Sequence, residues 1–358
     1  MLAKDTRVLY WENSHERAEW LDIWGTWHNY EIFGHPDYVN LYSGPDSKAC
    51  CAVQGTNTCV ILYPFLLRDL SFQKYCFSLK AFDITSAYGY SGPFYLGPRP
   101  SEECIGRFWH SLHGWAHENR VVSEFVRFSL FPETQLPYPG DRWLAGEHVV
   151  RSLNTPEPKR WMEFEHKVRK NVKTAIRNGV RIETDASGST LNQFLEVYHR
   201  TLVRRSAHSE YYLSPQYFET LRRHLLGHFI FFHAILDGKT ISTELVLLSA
   251  DRIYSFLGGT LEEYFYCRPN DLLKYEIMKW GAARGKQHFV LGGGYQKEDG
   301  IFRYKLAFAP EGRRSYFLGG TVLHRGLYDD LLRHRSDYEA TQGKQWQPKE
   351  PFFPAYRS

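Results

Sequence analysis

The hydrophobic and polar positions of this 358-residue chain alternate with the periods typical of strands and of amphipathic helices. Two stretches predict β-hairpins. In the first, the apolar run 49–53, a turn at 55–57 and the run 59–67 follow one another. In the second, the runs 229–236 and 240–248 flank the turn Asp237-Gly238-Lys239, and a third run, 253–257, comes after them. Two such hairpins about half a chain apart predict two related α/β units, although the residues themselves show no repeat.

Apolar residues at helical spacing predict helices between and after these strands. They fall at about residues 15–28, 103–119, 159–178, 191–205, 215–226 and 270–284. The helix at 159–178 ends at Gly179 and carries its basic residues opposite its apolar stripe. These basic residues are Lys167, Arg169, Lys170, Lys173 and Arg177. Such a face is either simply solvated or a surface for a phosphate-bearing partner.

The stretch HFVLGGGYQKEDGIFRYKLAF, residues 288–308, combines a short apolar run with three glycines and a second patterned segment. Glycines allow a backbone to bend and to come close to another group. In 301–308 aromatic and aliphatic residues alternate with Arg303 and Lys305, which predicts a strand. The pattern alone leaves Lys305 either an exposed strand residue or a functional one.

Composition narrows the class of protein. Hydrophobic residues make up 43% and charged residues 23% of the chain, as in globular proteins, and the net charge of +4 is too small to indicate nucleic-acid binding by itself. No apolar run is long enough for a spanning helix, and no signal peptide is expected. The six cysteines show no paired spacing, so we expect buried thiols in a cytoplasmic protein. No histidine spacing suggests a metal site.

Three segments resemble the FemAB-like aminoacyltransferases, whose domains have the fold of GNAT-type acetyltransferases. They are "DGIFRYKLAF", "SAYGYSGPF" at residues 86–94, and "KVRKNVKTAIRNGVRI" at residues 167–182. The resemblance implies tandem GNAT-like domains, each a mixed, mostly antiparallel sheet flanked by helices. With the Pro-rich stretch 154–158 as the boundary, we expect domains at 1–154 and 155–340 and a C-terminal tail at 341–358.

The same resemblance implies roles for particular residues. Lys305 would stabilise the oxyanion of a tetrahedral intermediate, with Tyr304 beside it. Substrate would contact a second set of residues: Asp83, Tyr88, Tyr90, Arg204, Tyr211, Tyr254 and Gly293. Lys170, Lys173 and Arg177 would bind tRNA. For the arginine pair Arg204 and Arg205, an ordinary surface position is an equally good interpretation.

The activity that the resemblance implies is transfer of an aminoacyl group from aminoacyl-tRNA to an amine of a peptide, nucleoside-peptide or cell-envelope precursor. GNAT enzymes that use CoA carry a glycine-containing loop that cradles the pyrophosphate, whereas residues 268–273 here read RPNDLL. Asp271 would repel phosphates, so no cofactor is expected beyond the aminoacyl-tRNA co-substrate. An acyl-CoA-dependent N-acyltransferase acting on an amino sugar, and a non-catalytic RNA- or glycan-binding protein, remain alternatives. Asp83, Glu244 and Asp299 are the acidic candidates for a general base, and the sequence identifies neither the acceptor nor the oligomeric state.

Overall fold

A computed structural model describes residues 6–55, 59–76 and 80–358. Strands alternate with helices along the chain. The strands are β1 (Arg7–Tyr10), β2 (Ser47–Gly55), β3 (Val60–Asp69), β4 (Phe82–Thr85), β5 (Phe94–Leu96), β6 (Val121–Arg127), β7 (Asp141–Ser152), β8 (Arg181–Asp185), β9 (Phe229–Leu236), β10 (Lys239–Leu248), β11 (Arg252–Thr260), β12 (His288–Gly292) and β13 (Arg313–Val322). The helices are α1 (Ser14–Gly25), α2 (Pro36–Asn40), α3 (Glu102–Glu118), α4 (Glu157–Glu163), α5 (His166–Arg177), α6 (Leu191–Arg204), α7 (Pro215–His224), α8 (Pro269–Ala283), α9 (Gly300–Leu306) and α10 (Arg325–Thr341).

The chain divides into two compact units. The first contains residues 1–145 and 316–358, and the second contains residues 146–315. This division differs from the predicted 1–154, 155–340 and 341–358. Residues after 315 return to the first unit because β13 pairs with β6, and because Leu327, Tyr328 and Leu331 of α10 share a core with Leu70 and Val122. The expected tail also belongs there, since the Tyr356 side chain is fully buried in that core.

In the first unit the strands lie in the order β1-β2-β3-β4-β6-β13, and β5 pairs with β3. Neighbouring strands are antiparallel except β4 and β6, which run parallel and are joined through α3. The first predicted hairpin is confirmed as β2 and β3. Part of its turn, Thr56-Asn57, lies outside the described residues. Phe82 to Thr85 form β4, which pairs with both β3 and β6.

The second unit repeats this arrangement. Its strands lie in the order β8-β9-β10-β11-β12-β7, antiparallel except for the parallel pair β11 and β12, which α8 connects. Helices α5 and α8 cover one face over a shared apolar core, and α6 packs on β10 and β11. Both units therefore place a parallel pair after four antiparallel strands. The predicted fold, a duplicated α/β unit with a mixed sheet, is confirmed.

Two elements differ from the sequence-based prediction. The helix expected at 159–178 is two helices, α4 and α5, because Phe164 and Glu165 adopt extended backbone between them. The segment expected as a strand at 301–308 is the helix α9. In the part of the chain that the structure describes, no helix combines the length and the apolar character needed to cross a membrane.

Candidate functional site

The site is organised by the glycine turn that follows β12. Gly292 has a positive φ of 82°, which suits glycine. Asp299 then caps α9: one carboxylate oxygen accepts from the Phe302 amide at 2.7 Å, and the other accepts from the Tyr295 amide at 2.7 Å. Because these bonds close the loop between the turn and the helix, Lys305 on α9 returns to the turn. Asp299 is thus a structural cap, and its pKa is lowered despite partial desolvation because backbone amides donate to it.

Lys305 bonds directly to that turn. Its Nζ donates to the carbonyl oxygen of Gly293 at 2.6 Å, and its side chain is half-buried. The pKa of Lys305 is lowered to about 7, chiefly by burial and in addition by the nearby Lys274 ammonium, while Glu244 and Asp299 oppose the shift. An ordinary lysine has a pKa near 10.5. Lys305 can therefore change its protonation state near neutral pH.

A buried ion pair lies beside this lysine. Lys274 of α8 donates to both carboxylate oxygens of Glu244 on β10 at 2.6 Å and to Ser255 Oγ of β11 at 2.7 Å. Only 5% of Lys274 and 3% of Glu244 is exposed, so each charge depends on the other for compensation. Glu244 is one of the acidic candidates for a general base. Because both its oxygens accept from Lys274, the structure instead gives it the role of counter-ion.

Tyr304 precedes Lys305 and turns towards the start of α8. Burial raises the pKa of its phenol well above the usual value, and the Asp271 and Glu244 carboxylates add to the rise. Its ring meets Phe308 edge to face at a centroid distance of 5.3 Å. Tyr304 therefore stays protonated and can donate a hydrogen bond.

Asp271 occupies the first turn of α8, where a CoA-binding loop would offer free amides. The residue is buried, accepts from Asn171 Nδ2 at 3.2 Å, and burial raises its pKa to about 6. Pro269, at the first helical position, has no amide hydrogen to donate. Arg268, with a positive φ of 54°, stands at the helix start.

The neighbours of Gly293 and Gly294 leave no room for a side chain at either position. A Cβ on Gly293 would lie 2.6 Å from Cδ2 and 2.7 Å from Nε2 of His148, on β7. A Cβ on Gly294 would lie 2.3 Å from an oxygen of Asp299. Burial lowers the pKa of His148 to about 3, and the Lys305 charge contributes, so this imidazole is neutral at physiological pH. The turn is thus packed tightly against His148 and Asp299.

The sheet opens next to this cluster. The parallel pairing of β11 with β12 stops at Tyr254 and Val290, although β11 continues to Thr260. A bulge in the β10–β11 pairing lies at the same level, between Leu245 and Val246. Ser255, the first residue beyond the paired segment, contacts Lys274. The ion pair therefore lies at the point where the strands part.

Of the remaining predicted site residues, some lie next to the Lys305 site in the structure and others do not. Tyr211 meets Tyr295, which follows the glycine turn, edge to face at 5.9 Å. Arg204 instead donates to the Thr260 carbonyl at 2.7 Å, with its guanidinium over a phenylalanine ring. Tyr254 is 2% exposed and points to the opposite face of β11 from Ile253, so it lines no accessible surface in this structure.

Asp83, Tyr88 and Tyr90 belong to the first unit. Asp83 is fully buried and accepts from Arg68 at 2.7 Å, from Arg357 at 2.6 Å and from the Tyr356 hydroxyl at 3.0 Å. These bonds occupy both carboxylate oxygens, which corrects the prediction that Asp83 contacts substrate or acts as a base. Tyr88 is 51% exposed, whereas Tyr90 is half-buried.

The basic residues of α5 form one exposed face. Lys170, Lys173 and Arg177 are exposed, and together with His166, Arg169 and Ile176 they line a shallow groove on the helix surface. The opposite stripe, Val168, Val172 and Ala175, is buried in the core of the second unit. Ile176, next to the buried Ala175, is 56% exposed.

The ion pair between Glu244 and Lys274 is not predicted from the sequence. The signal for it is a charged residue inside an otherwise apolar run. Glu244 interrupts a strand of buried residues, and Lys274 lies on the face of α8 that also carries Ile277 and Met278. A charge in such a position needs a partner of opposite sign. Which partner it meets depends on the packing of α8 on the sheet, which the linear pattern does not contain.

Comparison with known proteins shows that part of this chain matches a known domain family. Residues 163–306 match the acetyltransferase (GNAT) domain family. A UDP-N-acetylmuramoylpentapeptide-lysine N(6)-alanyltransferase from Weissella viridescens is 22% identical over 62% of this chain; the match spans 63% of that relative, less than two thirds of its length. Among solved structures, FemX has a TM-score of 0.65 at 13% identity, covering 87% of this chain and 97% of FemX.

A second solved structure supports the same fold. The C-terminal domain of a putative lysylphosphatidylglycerol synthetase from Agrobacterium fabrum has a TM-score of 0.55 at 14% identity, covering 86% of this chain and 92% of that domain. The match to the GNAT family contains β8 to β12, α5 to α8 and Lys305. The resemblance inferred from the sequence is thereby confirmed: residues 163–306 match a GNAT acetyltransferase domain, and the fold of the chain is similar to that of FemX.

Proposed function

We propose that the protein transfers an aminoacyl group from aminoacyl-tRNA to an amine of a peptide precursor of the cell envelope, forming an amide bond. The observation that carries this proposal is the position of Lys305, held on the Gly293 carbonyl beside the opening between β11 and β12, with a pKa of about 7. Its relative from Weissella viridescens is an alanyltransferase for a muramoyl pentapeptide lysine, which supplies the class of acceptor.

The chemistry requires an amine without its extra proton. Neutral Lys305 accepts a proton from the acceptor ammonium, and the freed amine attacks the ester carbonyl carbon to form the new C–N bond. Protonated Lys305 then stabilises the oxyanion of the tetrahedral intermediate. When the C–O bond breaks, Lys305 returns its proton to the ribose oxygen, and the amide nitrogen loses its second proton to water. Each side-chain proton taken up is thus released within one cycle.

Lys305 serves as base in this scheme because the acidic candidates are otherwise engaged. Glu244 binds Lys274, Asp299 caps α9, and Asp83 binds two arginines. Tyr304, protonated and adjacent to Lys305, is the second donor available for the oxyanion. These contacts support a lysine with two roles, base first and electrostatic stabiliser second.

The part of the proposal that names aminoacyl-tRNA as the donor rests on less direct observations. The first turn of α8 contains Pro269 and the Asp271 carboxylate, which suit a pyrophosphate poorly. The exposed face of α5 carries Lys170, Lys173 and Arg177, and clustered cations of this kind bind nucleic-acid phosphates. Aminoacyl-tRNA is made in the cytoplasm, so a cytoplasmic location is part of this proposal.

An acyl-CoA-dependent N-acyltransferase acting on an amino sugar is the second candidate. It is favoured by one finding, the match of residues 163–306 to a family described as acetyltransferases. The two candidates share the amide-forming chemistry at Lys305 and differ in the donor.

The deciding experiment offers both donors to the purified protein. Pooled radiolabelled aminoacyl-tRNAs and radiolabelled acetyl-CoA are supplied in parallel, with UDP-N-acetylmuramoyl pentapeptide and with an extract of small molecules as acceptors. We expect label from aminoacyl-tRNA in an alkali-stable amide. Product labelled from acetyl-CoA alone would favour the second candidate over the proposal. The variant Lys305→Met shows whether the product depends on this site, and Lys297→Met, a change of an exposed lysine nearby, is its control.

A further inference from the structure

Asp271 lies on the side of α8 that faces the opening between β11 and β12. It precedes Lys274 by three residues, and residues at this spacing share one face of a helix. Lys274 contacts Ser255, the first residue of β11 beyond its paired segment. Asp271 therefore stands one helical turn nearer the start of α8 on the same face. This start follows the carboxyl end of β11, where open α/β sheets bind ligands.

The Asp271 carboxylate is buried without a cation. Only 6% of the residue is exposed, and its Oδ1 accepts a hydrogen bond from Asn171 Nδ2 at 3.2 Å. Arg268 and Lys167 act on Asp271 from a distance, but no lysine or arginine among the described residues forms an ion pair with it. Lys167 pairs instead with Glu165 at 3.1 Å. A buried carboxylate in this state favours a ligand that brings a positive charge.

The hydroxyl group of Tyr304 lies near this carboxylate. It is buried and, in the described stretches of the chain, has no hydrogen bond of ordinary geometry, although Asn270 is near enough to act on its pKa. The carboxylates of Asp271 and Glu244 both raise the pKa of Tyr304, so its hydroxyl lies near both of them. Because Tyr304 directly precedes Lys305, the buried carboxylate and the buried hydroxyl both belong to the surroundings of the proposed reaction centre.

The donor of the proposed reaction carries a charge that matches Asp271. An aminoacyl ester has an α-amino group on the carbon next to its ester carbonyl, and such a group has a pKa of about 7.7–8.0, so it is mostly a cation at neutral pH. An acetyl group has no cation there. The carboxylates that act on Tyr304 and Lys305 are those of Asp271, Glu244 and Asp299. Glu244 is held in its ion pair and Asp299 caps α9, so Asp271 is left to bind the ammonium.

We propose that Asp271 binds the α-ammonium group of the aminoacyl donor and thereby makes the site selective for aminoacyl over simple acyl groups. Asn171 holds one carboxylate oxygen in place, and the Tyr304 hydroxyl can donate to the carbonyl oxygen that neighbours the ammonium. That the ammonium belongs to an aminoacyl ester rests on the proposed function. A site for a primary ammonium next to a carbonyl does not.

Binding of stable analogues tests this site without any transfer. At about pH 7, where an α-amino group is mostly protonated, the full chain is titrated with 3′-alanylamino-3′-deoxyadenosine, which has an amide in place of the ester. The second ligand, 3′-propionylamino-3′-deoxyadenosine, differs only in lacking the amine. Asp271→Asn keeps an acceptor oxygen for Asn171 and removes the charge. Asp237→Asn is the matched control, because Asp237 is an exposed aspartate in the turn between β9 and β10 of the same unit.

We expect the wild-type protein and Asp237→Asn to bind the alanyl analogue about tenfold or more tightly than the propionyl analogue, because only the former makes a charge-assisted hydrogen bond. Asp271→Asn should bind both analogues with similar affinity. Thermal unfolding of each protein is recorded, and if Asp271→Asn does not fold, Asp271→Ser, which also removes the charge, carries the same comparison. No binding of the alanyl analogue to the wild-type protein, equal binding of the two analogues, or an undiminished preference in a folded Asp271 variant overturns the proposal.

The result of this test is separate from that of the donor assay. If the analogues show the preference that depends on Asp271 but no aminoacyl label is transferred from tRNA, the ammonium site stands and the proposed function fails. If label is transferred but the wild-type protein binds both analogues equally, the proposed function stands and the ammonium site fails.

Discussion

The Lys305 ammonium donates to the backbone carbonyl of Gly293 at 2.6 Å. The two residues are 12 positions apart, and the bond spans the loop that connects β12 to α9. Asp299 fixes that loop from inside by accepting the amides of Tyr295 and Phe302. Lys305 is thereby positioned by backbone groups, so its location does not depend on a bound substrate.

The first prediction concerns the charge state of Lys305. Lys305→Met should lower turnover by about 10²–10³, the usual loss when a preorganised catalytic donor is removed. Lys305→Arg should be similarly impaired, because an arginine stays protonated and cannot accept a proton. Single-turnover rates with aminoacyl-tRNA measure both. Near-normal rates in Lys305→Arg would exclude a role of Lys305 as a base and leave only a role for its positive charge. Lys297→Met, a change of an exposed lysine, serves as the control.

The second prediction follows from the lowered pKa of Lys305. Above a pKa of about 7 the residue is neutral and can act as a base; below it the residue is protonated and cannot. The single-turnover rate at subsaturating substrate should therefore rise with pH between 6 and 8 and level off above the pKa. A rate that falls over this interval would contradict the assignment, because it would mean that the protonated form is the active one.

The third prediction concerns the buried pair Lys274 and Glu244. Glu244→Gln leaves the Lys274 ammonium buried without its counter-ion and should cost about 3–5 kcal/mol in the free energy of unfolding. The double variant Glu244→Leu, Lys274→Met removes both charges and should be markedly more stable than the single variant. Urea unfolding of the three proteins tests this, and additive losses in the double variant would contradict the coupling.

The duplicated fold could be predicted from the sequence because both hairpins consist of long alternating or apolar runs with clear turns. The segment 301–308 was assigned wrongly for an equally physical reason. Its apolar residues fit period two, but Phe302 and Leu306 also fit the spacing of four residues along a helix, and Asp299 before Gly300 is a helix-capping signal that favours α9.

The roles of individual polar residues could be predicted less well from the sequence than the fold. The family resemblance implies that Asp83 contacts substrate, but its partner Arg357 lies 274 positions away. No local pattern reveals such a pairing. Lys305, in contrast, was found through family resemblance, and the structure adds the burial that lowers its pKa.

The fourth prediction separates two glycines of the same loop. Gly293→Ala would push a Cβ into the His148 ring, so it should cost about 1–3 kcal/mol in stability, as overpacking does, and displace the carbonyl that Lys305 binds. Gly300→Ala is the matched control: nothing lies within 4 Å of its Cβ position. Equal effects of the two substitutions on turnover and thermal unfolding would show that the close contact with His148 is unimportant.

The fifth prediction tests the basic face of α5 as a tRNA-binding surface. Lys170→Ala, Lys173→Ala and Arg177→Ala, combined, should raise the KM for aminoacyl-tRNA and leave the stability of the fold nearly unchanged, because all three side chains are exposed. Each neutralised phosphate contact contributes about 0.7–0.9 to the slope of log affinity against log salt, so the slope should become shallower by about two.

Arg223→Ala provides the control for this surface. Arg223 is also an exposed arginine of the second unit, but it lies on α7, where it pairs with Glu219 at 2.7 Å. Its removal should therefore change neither the KM for aminoacyl-tRNA nor the salt slope. If the α5 variant keeps the wild-type salt slope, its cations make no phosphate contacts, and the donor binds through another surface. If the slope changes for tRNA while the rate with acetyl-CoA is unaffected, the face of α5 distinguishes the two donors, because only a polyanion engages several of its cations at once.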